Sequence, residues 1–153
     1  MVIPPEIIIL IISAVPISEL RGAIPLAIGV YNFSPWSAFV LAVIGNIIPI
    51  IFLLWLLGWI SDYLSHHFYY FNRFFAWLFK RTREKHSNRF EIWGSLALVL
   101  FVAIPLPMTG GWSGAVAAFV FGIPFKKAFP LICLGIIIAG IIVTLGSIGI
   151  FGI

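Results

Sequence analysis

Glu19 and Arg21 stand two residues apart in Ser18-Glu19-Leu20-Arg21-Gly22-Ala23-Ile24-Pro25, inside sequence that is otherwise apolar and uncharged from Ile7 to Ser61. An ionisable group at membrane depth is expensive, and it usually faces a cavity, pairs with another charge or marks an ion pathway. The guanidinium is a planar, permanently charged receptor for phosphate or carboxylate. A carboxylate taken out of water binds a proton more tightly and can carry one. The same two residues could also pin a turn as a buried ion pair, and the two uses are compatible.

A second stretch, Pro105-Leu106-Pro107-Met108-Thr109-Gly110-Gly111-Trp112-Ser113-Gly114, has no charge but offers the Thr109 and Ser113 hydroxyls and several backbone amides. A Gly-rich turn feeding a helix N-terminus binds anions through N–H groups and the helix dipole. Plain turn chemistry is the other reading. Asn46, close to Pro49 in the middle of an apolar run, is placed either to bond a hairpin backbone group or to line a pathway. Nothing suggests catalysis. The three His lie in the middle segment without Cys or carboxylate at metal-ligand spacing, so zinc is not expected. No Ser or Cys sits beside a base in the apolar runs. The expectation is a protein that is not an enzyme, with no catalytic residue, metal or cofactor.

The elements that must hold these residues follow from composition. Of 153 residues, 62% are hydrophobic and 9% charged, whereas soluble domains carry about 25% charge. The chain reads as an all-α integral membrane protein. A soluble nucleic-acid binder would need its basic residues on a water-facing surface, so nucleic acid is not an expected partner. The single Cys133 excludes a disulfide framework. The N-terminus carries Glu6 where a signal peptide would be basic, so it is expected to stay in the mature protein.

A spanning helix needs roughly 20 apolar residues, and 35–60 and 126–150 both supply them. The runs 2–31 and 92–122 are interrupted by Pro16, and by Pro105 with Pro107, Gly110 and Gly111. Irregular backbone at that depth is tolerated only where protein or a wet cavity satisfies it. Each run is therefore read as a re-entrant helical hairpin, the alternative being one long Pro-kinked span. The charges at the bend of 2–31 favour the hairpin there.

A shift of 89 positions aligns Pro16 with Pro105, Gly22 with Gly111 and Pro35 with Pro124, together with several Ala and Ile, without a gap. Such self-similarity points to an internal repeat: 1–61 and 92–153, each a hairpin plus one span, within a single membrane domain. A hairpin leaves by the side it entered, so each half crosses once and the second half is inverted. Inverted repeats with interrupted helices are the architecture of many secondary transporters, with substrate bound near the midplane.

Arg73, Lys80, Arg81, Arg83, Lys85 and Arg89 lie between the halves, and Lys126 and Lys127 precede the last span. Inverted topology puts both clusters on one face, which the positive-inside rule makes cytoplasmic. The expected location is the cell membrane, multi-pass, with 62–91 cytoplasmic. Nine of residues 63–79 are aromatic. With Leu64, Phe68, Phe71, Phe75 and Leu78 on one face and His66, Tyr70, Arg73, Trp77 and Lys80 on the other, this segment is either an interfacial helix or a third span. The small-residue step Gly135, Ala139 and Gly146 suits packing within the protomer or a homodimer equally.

In Glu19-x-Arg21-Gly22-x-Ile24-Pro25 and Pro105-Leu106-Pro107-x-Thr109-Gly110-x-Trp112-Ser113-Gly114 the chain resembles the small multidrug export protein family, which is similar in turn to the DedA/VTT membrane proteins. The resemblance covers nearly the whole chain. It implies paired re-entrant hairpins with inverted symmetry and, as in some DedA proteins, flipping of lipid phosphates with proton dependence. The slot of the second intramembrane Arg in the Phe-x-Arg-type DedA motif holds Thr109-Gly110-Gly111. The expected function is thus a small secondary transporter or lipid-phosphate flippase. Arg21 would contact an anionic group, Glu19 would carry a proton, and the partners would be the bilayer, protons and an anionic lipid or small amphipathic substrate. The alternative is a non-transporting scaffold or assembly factor that recruits partners through its basic 80–89 stretch.

Overall fold

The computed structural model describes residues 3–83 and 88–152. Lys85 of the basic cluster, the first residue of the 2–31 hairpin range and the last residue of the 92–153 range lie outside them. Among the described residues there are seven helices and no strand: α1 Pro5–Ala14, α2 Glu19–Gly29, α3 Pro35–His67, α4 Tyr69–Arg83, α5 Asn88–Ala103, α6 Gly111–Val120 and α7 Phe125–Phe151. Two of them, α3 and α7, are long and apolar enough to cross a membrane.

Local chemistry sets the boundaries. The residue before a proline is pushed out of the α region, and α1 and α5 stop at Ala14 and Ala103, each two residues short of a proline and 89 apart. Ser34 caps α3, its Oγ accepting from Ser37 N at 3.2 Å, and Pro35 takes the first helical position. Two non-glycine residues with left-handed φ, Glu19 (46°) and Met108 (68°), also lie 89 apart. The 89-residue spacing thus recurs in backbone conformation as well as in proline and glycine.

Several boundaries differ from the sequence-based expectation. The first long helix does not end near Ile60; it continues through Asp62 to His67, because the fall in hydropathy there brings no helix breaker. Phe68 is extended (φ −129°, ψ 116°) and divides the proposed single helix of 63–79, so Leu64 and His66 belong to a different helix from Tyr70, Arg73, Trp77 and Lys80. Nor do Glu19 and Arg21 sit in a non-helical bend: the bend is 15–18, and both residues are in the first turn of α2.

The packing is matched between the halves. α1 packs on α2 and α3, and α2 on α3, just as α5 packs on α6 and α7, and α6 on α7. Across the middle α3 meets α7, α2 meets α7 and α6 meets α3. Glycine permits the closest approaches. A Cβ on Gly45 would come within 2.7 Å of the Leu10 carbonyl oxygen, and one on Gly135 within 3.0 Å of that of Val99. Phe39 lies against Gly140, while Asn46, Ile50 and Ile136 surround Gly111, so α3 and α7 run antiparallel. An ion pair joins Lys127, at the start of α7, to Glu91, near the start of α5, and Phe151 at the far end of α7 covers Gly29.

Much of the surface is apolar. Trp36, Ile48, Phe52 and Trp55 on α3 and Leu134, Ile141 and Leu145 on α7 all point outward. So extensive an apolar exterior would aggregate in water and suits lipid. At 1.5 Å per residue α3 is about 50 Å long, longer than the roughly 30 Å hydrocarbon layer, whereas α1, α2 and α6 at about 15 Å each reach only half-way.

Gly45→Leu should lower the thermal midpoint in detergent by several degrees, since overpacking a helix crossing costs about 1–3 kcal/mol. Gly58, exposed and with nothing near its Cβ position, is the control: Gly58→Ala should leave the midpoint unchanged or raise it, by up to about 1 kcal/mol of helix propensity.

Candidate functional site

The 15–18 and 104–110 bends come together beside α3. Arg21 reaches from the first turn of α2 to the second bend, where its guanidinium donates to the carbonyls of Leu106 and Thr109 and to Thr109 Oγ1 at 3.0 Å. The threonine hydroxyl also accepts from Leu106 N at 3.1 Å. Its one proton goes to the carbonyl of Ile104 (2.6 Å) or of Leu106 (2.8 Å). Leu106 N also reaches the Ile104 carbonyl, and Thr109 N the Leu106 carbonyl. Pro105 and Pro107 have no N–H to satisfy. The Pro-Leu-Pro-x-Thr sequence thus satisfies part of its own backbone demand, and Arg21 supplies further donors to the Leu106 and Thr109 carbonyls. Bonds to a charged group contribute about 1.5–3 kcal/mol each. Three of them outweigh the roughly 2.5–3.5 kcal/mol that an Arg costs at mid-helix in a membrane.

Glu19 points the other way. Its Oε1 accepts from Trp112 N at 3.3 Å in the first turn of α6, with the Gly111 N–H close by. Helix N-termini attract negative charge through unpaired amides and the macrodipole. A Cβ on Gly110 would fall on the Glu19 carboxylate, which explains why glycine precedes this helix. Gly110 also has a φ of 149° that L side chains avoid. Glu19 is 6% exposed, and its own left-handed φ holds strain of order 1–3 kcal/mol. Trp112 Nε1 donates to the Ala14 carbonyl at 3.1 Å, tying α6 to the end of α1.

Asn46 is the third component. It lies eleven residues into α3, about 17 Å along the helix, and is completely buried beside Gly111. Its amide interacts with the Glu19 carboxylate, yet neither amide atom makes a hydrogen bond of normal geometry. Gly22, Pro25 and Ser113 have supporting places. Gly22 packs against Ser18. Pro25 lies inside α2 and withholds the N–H that would close on the Arg21 carbonyl. Ser113 Oγ makes a 3.4 Å contact with the Gly110 carbonyl. Sequence reasoning missed Ser13, buried on α1, which donates to the Ala42 carbonyl of α3; a lone serine in an apolar helix is the signal that could have found it. Among the described residues no three His, Cys, Asp or Glu side chains gather as a metal site.

The outward apolar surface, two long membrane-type helices and polar groups gathered at broken helices define a helical membrane protein. The profile of the family described as Putative small multi-drug export protein matches residues 19–142, and the chain belongs to that family. The match opens at Glu19 and takes in both bends' partners, α2 to α6, with most of α7. No curated protein and no solved structure matches the chain.

Thr109→Val should lower the thermal midpoint in detergent, by about 1–3 kcal/mol for each backbone group it orphans. Ser113→Ala should shift it far less, because the Ser113 hydroxyl sits at the long end of hydrogen-bonding range from its carbonyl. Equal effects would mean that the Thr109 network contributes nothing special.

Proposed function

We propose that the protein is a small secondary transporter, not an enzyme, built as an inverted repeat of re-entrant hairpin plus spanning helix and acting on an anionic lipid or small amphipathic substrate with proton coupling. The carrying observation is the meeting of the two bends, one ionisable and one Gly-rich, around a buried carboxylate about a third of the way along α3. Transporters of inverted-repeat design place substrate at such interrupted helices.

The matched packing of the halves, the antiparallel α3 and α7, and the 89-residue spacing of helix ends and left-handed residues support inversion. The Glu91–Lys127 ion pair supports a re-entrant second half, since the start of α5 and the start of α7 must then share a face. The family's description names multi-drug export, and the wider likeness to DedA proteins belongs to this reading. Residues 62–91 would be cytoplasmic in the cell membrane. In the cycle Glu19 carries the proton. Arg21, held on the opposite bend, keeps the two bends together and contributes positive charge for an anionic group.

Reconstituted protein should move protons together with substrate in liposomes, and Glu19→Gln should remove the dependence of that flux on a pH gradient. Proton-coupled flux at the native rate in Glu19→Gln would refute the carrier role. Replacing Lys80, Arg81, Arg83, Lys85 and Arg89 should leave flux intact; a scaffold acting through its basic stretch would show the opposite pattern.

A further inference from the structure

Asn46 stands apart from the other described buried polar residues: at a fully buried position neither end of its amide makes a hydrogen bond of normal geometry, and the polar group it interacts with is the Glu19 carboxylate. A buried polar group left unpaired costs about 1–3 kcal/mol, and packing alone would be served better by Leu. Its position says what the amide is for. Oδ1 lies 3.2 Å from where a Cβ on Gly111 would stand, so the side chain is aimed at the first turn of α6 and at the carboxylate resting there. A half-turn of the amide exchanges its oxygen and nitrogen, placing the NH2 donor on the same spot.

We infer that the first turn of α6 and the Asn46 amide together form a binding site for an oxyanion, a phosphate or carboxylate group, which Glu19 occupies as a tethered stand-in and which an incoming anion takes by displacing it. The amides of Gly111 and Trp112 and the helix dipole provide the attraction. Glu19 holds the site with a 3.3 Å bond to Trp112 N, supported by the Gly111 N–H and the Asn46 amide, but from a backbone bent into the left-handed region whose strain opposes its grip. The absence of a side chain on Gly110 leaves room for the oxygens. Arg21 interacts electrostatically with Glu19, and because its hydrogen bonds go to the second bend it stays in place while the anions exchange. Two anions cannot share one helix N-terminus, so entry of the ligand and departure of Glu19 are a single event. The inference deepens the transporter reading and rests on it only for the steps after binding.

The test is equilibrium binding by the full chain, by calorimetry in detergent with inorganic phosphate and in nanodiscs with phosphatidic acid against phosphatidylcholine. Glu19→Gln removes the competing charge and should tighten binding of the phosphate group about tenfold or more, whereas Asn46→Leu should weaken it about tenfold in the Glu19→Gln background. Response to inorganic phosphate assigns the site to free anions, and response to phosphatidic acid alone assigns it to lipid headgroups. Unchanged or weaker binding in Glu19→Gln with both ligands overturns the inference, as does Asn46→Leu without effect. Native liposome flux without this binding pattern sinks the site and spares the transporter reading; the binding pattern without flux does the reverse.

Discussion

A hydrocarbon environment offers no hydrogen bonds, so a helix that breaks inside one must find protein partners for every peptide group it frees. Most of the unusual features of this chain trace to that requirement. Pro105 and Pro107 delete donors, Thr109 and Arg21 occupy carbonyls, and Glu19 and the Trp112 indole serve the ends of helices on the opposite side of the junction. The two charged side chains are tolerated because each is spent on backbone of the other half. Neither forms a simple side-chain ion pair within its own turn, the arrangement that their spacing in sequence suggests.

Close packing supplies the frame for this junction. Gly45 and Gly135 let α1 and α5 settle against the long helices at corresponding levels. The first turns of α2 and α6 are then delivered to the same place beside Asn46. Association of helices in lipid relies on such contact more than on burial of apolar surface, since lipid is as apolar as leucine. Enlarging one of these glycines would therefore act at a distance, by moving a helix end away from the group it serves.

Much of the frame was legible in the sequence because proline and glycine act locally. Pro16 and Pro105 announce the breaks after Ala14 and Ala103, and Ser34-Pro35 announces the start of α3. The extension of α3 to His67 was not legible: polar residues lower hydropathy without stopping a helix, and the stop at Phe68 has no glycine or proline to mark it. At the site the residue types could be read but their partners could not. Glu19 meets Trp112 and Arg21 meets Thr109 across some ninety positions, and no local rule predicts a left-handed glutamate or a buried asparagine beside it.

The spacing that relates the halves also shows where they part. Met108 stands where Glu19 stands in the first half and shares its left-handed backbone, while Gly110 takes the place of Arg21. A near-symmetric scaffold thus carries its charge on one arm alone. In the re-entrant arrangement proposed above, exchanging the depths of the two arms would not regenerate an equivalent molecule: one arrangement would set the carboxylate nearer one face and the other nearer the opposite face, at different energy. In the inverted arrangement proposed above, the missing second pair of charges would give the molecule a handedness across the bilayer, a built-in sense of forward and back.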